Sequence, residues 1–147
     1  MMYRFASAGD FESLAKMGQA FYAPGKLFGG FSAHNFVDFW SDAIMSGRGF
    51  IIVADVDGSA VGAIGCVLFD DPNSGEFIGQ EMFWWMFPEH RGEASAELIA
   101  LFEHESKAMG ATRVLMSAIH GMRHRALGRF YGSRGYEPLE TSYIKEI

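Results

Sequence analysis

The sequence predicts an α/β protein in which helices cover a mixed sheet, and three features of the chain lead there. The hydrophobic period alternates between about 2 and about 3.6 along the sequence. Residues 50–69 form an apolar, β-branched run broken by the turn pair Asp57-Gly58, the signal of a hairpin. Beyond it an aromatic strand passes through a tight loop at Pro88 directly into a helical pattern. A chain of 147 residues that is 49% hydrophobic and 20% charged, with 14 Phe and 3 Trp, can bury one substantial core, and residues 1–147 read as a single domain.

Taken in order, Met2–Phe5 is a short edge strand. Asp10 is placed to cap a helix whose apolar positions Leu14, Met17, Gly18 and Phe21 follow helical spacing, and Pro24 and Gly25 end it. After a loop rich in Gly and Phe, Ser32 caps a second helix with Phe36, Phe39, Trp40, Ala43 and Ile44 on one face, closed by Gly47. Residues 50–56 and 60–69 are the hairpin strands, and the turn cluster from Asp71 to Gly75 leads into the aromatic strand, 77–87. A helix over 94–109 carries Leu98, Ile99, Leu101, Phe102 and Met109, with Gly110 as its cap. A strand over 113–118, a short helix over 125–133 and a final strand over 136–146 complete the chain. No repeat, linker or low-complexity tract interrupts it.

The net charge of −6 argues against a nucleic-acid partner, and the distribution is lopsided: from Ser106 to Tyr136 the chain carries Lys107, Arg113, Arg123, Arg125, Arg129 and Arg134 and no Asp or Glu. Such a stretch suits a small polyanion, while the acidic remainder suits a cation. No apolar run approaches the roughly 20 residues of a membrane span, so no membrane partner is expected. The first ten residues reach Asp10 before any signal-peptide core appears, and the expected location is cytoplasmic. The lone Cys66 lies in an apolar run and reads as a buried structural thiol.

The most informative segment runs from Trp84 and Met86 through Pro88, Arg91, Gly92, Glu93, Ala94, Ser95 and Ala96 to Ile99. The free N–H groups of a helix's first turn form an anion site, and small residues let a pyrophosphate approach the backbone. This segment resembles the acyl-CoA-binding segment of the GNAT N-acetyltransferase family, with Arg91, Ala94 and Ala96 on the positions of that family's motif; Ala94 stands where the family usually has Gly. Leu127, Phe130, Tyr131, Gly135 and Tyr136 resemble its final helix and turn, and the likeness in element order runs nearly end to end. The resemblance implies a mixed, mostly antiparallel sheet of six to seven strands flanked by about four helices. It implies acetyl-CoA as cosubstrate, no metal, and a small-molecule or peptide amine as acceptor; a homodimer is compatible with it. Trp84, Met86 and residues 91–96 would contact the coenzyme, joined by His124, where many relatives carry Asn, and by Arg129.

Within this resemblance Tyr131 falls where the family places a tyrosine near the coenzyme sulfur, able to protonate the departing thiolate. Only a neutral amine can attack a thioester, so a base is also required. Glu81, ten residues before Arg91 and flanked by Met82, Phe83, Trp84 and Trp85, is the first candidate, since desolvation raises a carboxylate's pKa. His120 is the second, its ordinary pKa already suiting proton transfer. His120 and His124 could share a metal on one turn, but Gly121 between them and the charges of Arg123 and Arg125 oppose it. Phe21, Tyr22, Phe28 and Phe31 crowd a glycine-bearing loop, and because this region covers the acceptor pocket in the family, the resemblance implies an aromatic lid there. The other reading of the chain is a catalytically silent acyl-CoA-binding or interaction module with the same fold.

Overall fold

A computed structural model describes residues 1–22 and 30–147, in two compact units, Met1–Leu115 and Met116–Ile147. The first unit holds β1 (Met2–Phe5), α1 (Phe11–Tyr22), α2 (Ala33–Met45), β2 (Gly49–Val56), β3 (Ser59–Asp70), β4 (Phe77–Met86), α3 (Glu93–Ala108) and β5 (Arg113–Leu115), with 3-10 turns at Ala8–Asp10 and Pro88–His90. The second holds α4 (His124–Ser133).

The strands lie in the order β1-β2-β3-β4-β5, antiparallel as far as β4 and parallel between β4 and β5. A parallel neighbour needs a long crossover, which α3 supplies. The β2–β3 hairpin turns at Asp57 (φ 52°) and Gly58 (φ 85°), the doubly positive geometry that matches strand twist. The Gly58 N–H donates to the Asp55 carboxylate at 2.7 Å. Every residue of β2 from Gly49 to Asp55 is buried, because helices cover both faces. Ile51 and Val53 join Leu14 and Met17 of α1 and Trp40 and Ala43 of α2 in one cluster, while Ile52 lines a groove with Leu101 of α3. Leu98, Ile99 and Phe102 of α3 are fully enclosed. Truncating Phe102 to alanine would cost about 3–5 kcal/mol.

Ser32 caps α2 as expected, accepting from the Asn35 N–H at 3.3 Å, and Gly47 closes it at φ 71°. The start of α1 differs. Asp10 is not its N-cap: its carboxylate turns back to accept from the Ser7 N–H (2.7 Å) and hydroxyl (3.2 Å) and from Arg4 (2.7 Å). A guanidinium and two further donors outcompete the helix for that carboxylate.

The sheet has five strands among the described residues, where six to seven were expected. β5 stops at Leu115 instead of reaching residue 118, and its ladder with β4 spans Ile78–Gln80 alone. Residues 136–147 form no strand. Leu139, Tyr143 and Ile144 there are 72%, 92% and 74% exposed, Pro138 has no N–H to give a ladder, and β-branched residues alone do not make a strand without a partner. Among the described residues no helix is long and apolar enough to cross a membrane.

Candidate active site

β4 positions the candidate residues of the first unit. Opposite β3, Cys66 pairs with Glu81 and Gly65 with Phe83, so Met82 is an extra residue. A bulge of this kind bends and twists a strand, and it falls directly after Gln80, where pairing with β5 ends. The segment from Glu81 to Met86 is thereby re-aimed toward the start of α3.

Two side chain to backbone bonds fasten that junction. The Trp84 indole Nε1–H donates to the Ser95 carbonyl at 3.1 Å, and Arg91 Nε–H donates to the Met86 carbonyl at 3.2 Å. Trp84, Met86, Arg91 and Ser95, singled out separately in the sequence, are therefore one structural unit. Gly92, at φ 119° and ψ −127°, occupies backbone space costly for any other residue, although no atom lies within 4 Å of where its Cβ would stand. The glycine is required by the turn, not by crowding. Ala94, where the family motif usually has Gly, lies inside α3 with no positive φ, so alanine suits it.

No side chain caps α3, and the N–H groups of Ser95 and Ala96 turn back to the Gly92 carbonyl at 3.1 and 3.4 Å. The leading N–H groups of a 16-residue helix are thus offered outward beside Arg91, with the half-buried Ala94 and Ala96 behind them. This geometry suits an anion such as a pyrophosphate. The exposed carboxylates of Glu93 and Glu97 leave Arg91 as the nearby cation on this segment.

Glu81 is buried, 8% exposed. Its charge reaches two neighbours: burial first, then Glu81, raises the Tyr22 phenol above its ordinary value. Burial likewise pushes the Cys66 thiol up to about 11, against the opposing bond with Ser106, whose Oγ lies 3.6 Å from the sulfur. Cys66 is therefore a protonated, enclosed thiol, as the sequence indicated.

Phe21 and Tyr22 at the end of α1, Phe31 before α2 and Phe36 within it are half-buried against Trp85 of β4. Phe21, Phe31 and Phe36 lie 5.9, 5.9 and 5.6 Å from the Trp85 ring, and Phe83 stacks on it at 4.2 Å. Of the proposed aromatic lid, Phe28 lies outside the described residues. Trp85 is the residue sequence reasoning missed. Its Nε1–H is buried with no acceptor among the described residues, and nothing in an aromatic run distinguishes such an indole from a packed one.

In the second unit, Tyr131 of α4 is 7% exposed and donates its hydroxyl to the Ser117 carbonyl at 2.8 Å. Ser117 was also missed, because a backbone acceptor leaves no mark in residue type. His120 lies in the turn before α4, not at the end of a strand, since β5 has already stopped. Its ring stacks on His124 at 4.5 Å. His124 opens α4 and its Nδ1 accepts from the Gly121 N–H at 3.3 Å. Arg125 and Arg129 are exposed one turn apart on α4. Among the described residues no group of three or more His, Cys, Asp or Glu side chains could hold a metal ion.

The model of the acetyltransferase (GNAT) family matches residues 19–136. Among solved structures, a transcriptional regulator from Bacillus halodurans is similar over 99% of both chains, with TM-score 0.81 and 18% identity. A predicted acetyltransferase with acetyl-CoA from Clostridium acetobutylicum is similar over 99% of this chain and 95% of its own, with TM-score 0.79 and 12% identity. An aminoglycoside 6'-N-acetyltransferase from Acinetobacter haemolyticus is similar over 100% and 99%, with TM-score 0.72 and 18% identity. These likenesses show a common fold. No curated protein matches the sequence.

Proposed function

The chain belongs to the acetyltransferase (GNAT) family, and on that premise we propose that it moves an acetyl group from acetyl-CoA to a primary amine by direct attack within a ternary complex. The observation that carries the reading is the junction of β4 and α3. There Gly92 takes a backbone angle only glycine accepts cheaply, Arg91 is anchored to Met86, and an uncapped helix start presents its N–H groups. Arg91 and residues 92–96 are the groups that would hold the coenzyme pyrophosphate, with Trp84 and Met86 shaping the strand beside it. His124, Arg125 and Arg129 are further candidates for the coenzyme's phosphates. The coenzyme supplies an activated acyl group as a thioester.

The chain's own residues have two proton tasks. Glu81, buried on β4, takes the proton from the incoming ammonium, with His120 as the second candidate. Tyr131, whose hydroxyl is fixed on Ser117, gives a proton to the departing sulfur. We also place residues 1–147 in a single functional domain, acting in the cytoplasm on a small-molecule or peptide amine, without nucleic acid or membrane, and compatible with a homodimer.

Thermal-shift titration with acetyl-CoA, adenosine and buffer tests the binding half, and thiol release with a panel of amines tests turnover. Stabilisation by acetyl-CoA alone, with amine-dependent thiol release, is the expected result. Stabilisation without turnover across the panel would favour a silent binding module, and no stabilisation would overturn the coenzyme assignment.

A further inference from the structure

We propose that two copies of this chain exchange their last segments, residues 139–147 of each pairing as a strand along the open edge of β5 in the other. The inference does not depend on the acetyl-transfer reading. Alternate residues of the segment are alike: Leu139, Thr141, Tyr143 and Ile147 share one face, interrupted only by Lys145, while Glu140, Ser142 and Glu146 share the other with Ile144. That is the pattern of a strand with one face buried. In the single chain that face is not buried. Residues 136–147 join no ladder, and Leu139, Tyr143 and Ile144 are 72%, 92% and 74% exposed. A second copy offers what the segment lacks, backbone partners and cover for its apolar side chains.

Among the described residues the sheet has two open edges, β1 and β5, and an open edge presents N–H and C=O groups to an added strand. Charge chooses between them. Residues 137–147 carry Glu137, Glu140 and Glu146 against Lys145 alone. The surroundings of β1 are acidic: Arg4 is already engaged by Asp10 and Asp55, Glu105 lines the groove beside the strand, and burial first, then Glu97 and Glu93, raises the Tyr3 phenol. β5 instead lies in the stretch from Ser106 to Tyr136, which holds six Lys and Arg and no Asp or Glu. Its Arg113 stays exposed while bonded to Glu76, and its Val114 and Leu115 are half-buried, so the edge keeps both charge and apolar surface for a glutamate-bearing strand. Complementary charge of this kind selects partner and register more than it adds affinity. Exchange about a two-fold axis satisfies both segments at once and closes the assembly at two copies.

Sedimentation equilibrium of the full chain over a range of concentrations should reach the mass of two 16.3 kDa chains. Tyr143→Asp, on the apolar face, should raise the dimer dissociation constant at least about tenfold. Ser142→Asp places the same charge on the polar face and should change that constant less than about threefold. Both side chains are exposed in the single chain, so neither variant disturbs its folding, and Ile147→Asp gives an independent repeat of the first. Hydrogen exchange should show Val114, Leu115 and residues 139–147 protected in the dimer and released together on dilution, with Met2–Phe5 unchanged. A monomer at every concentration, a dimer that Tyr143→Asp leaves intact, protection gained at Met2–Phe5 instead of β5, or assembly continuing beyond two copies would each overturn the inference.

Discussion

Tyr131 donates its hydroxyl hydrogen to the carbonyl oxygen of Ser117 across 2.8 Å. The bond holds a buried phenol in one orientation with its proton kept on the hydroxyl oxygen, and donation toward sulfur would require the O–H to turn from this carbonyl. Tyr131→Phe preserves the ring and deletes only this group. If the hydroxyl serves as general acid, turnover should fall by roughly two to four powers of ten with acetyl-CoA binding retained. Stability should fall by about 0.5–1.5 kcal/mol for the lost hydrogen bond. Turnover at the parent rate would make Tyr131 structural.

Gly92 offers a test of the coenzyme loop that leaves every proposed contact side chain in place. At φ 119° and ψ −127°, alanine there carries about 1–3 kcal/mol of backbone strain, relieved by reshaping the entry to α3. Gly92→Ala should therefore weaken acetyl-CoA about tenfold or more in calorimetric titration. Ala96→Leu, which adds bulk behind the same N–H groups, should act in the same direction. Unchanged affinity in both folded variants would remove the loop from the coenzyme site.

Arg4 joins two carboxylates, at 2.7 Å from Asp10 and 2.8 Å (through Nε) from Asp55, tying β1 to the first turn and to the hairpin. Hydrogen bonding from Arg4, opposed in part by burial, holds the Asp10 carboxyl below its ordinary 3.8. A depressed folded pKa contributes stability that is fully present above the unfolded value and lost as pH falls through the folded one. Asp10→Asn should cost about 1–2 kcal/mol at pH 7, a range discounted because Arg4 is partly solvated. In urea melts that deficit should narrow below about pH 4, where the unfolded parent takes up the proton first, and close once pH falls past the depressed folded value. A deficit constant from pH 7 to pH 3 would remove the charge from the explanation.

Periodicity made the element order legible because each element of the first unit carries its own pattern. Asp57-Gly58 fixed one turn, Ser32 and Gly47 bounded α2, and Phe102 with Leu98 and Ile99 marked the buried face of α3. What stayed hidden depends on partners. The short β5 pairs with three residues of β4 next to the bulge at Met82, and residues 136–147 have strand-forming composition without a ladder. Asp10 looked like a cap because its competitor, Arg4, acts across a turn. At the site, the segment from Arg91 to Ala96 could be read from small residues at a helix start. The Ser117 carbonyl and the Trp85 indole could not, since their roles lie in backbone position and in a missing partner.

Glu81 carries the last test, which separates the base from the acid. A thioester is attacked by the neutral amine, and an alkylamine with a pKa near that of lysine, about 10.4, is almost wholly protonated at pH 7. A base that removes this proton matters most where free amine is scarce. Glu81→Gln keeps the size of a side chain that is 8% exposed and removes its charge. At pH 7 it should lower kcat/KM by roughly two to three powers of ten. As pH rises toward 10 the free amine accumulates without help, and the deficit should shrink steadily, whereas that of Tyr131→Phe should persist because the sulfur still departs without a donor. Melting curves for both variants separate chemistry from folding. A Glu81→Gln deficit that is flat from pH 7 to pH 10 would dismiss Glu81 as the base, and the same profile repeated on His120→Gln would then decide whether the second candidate takes the proton.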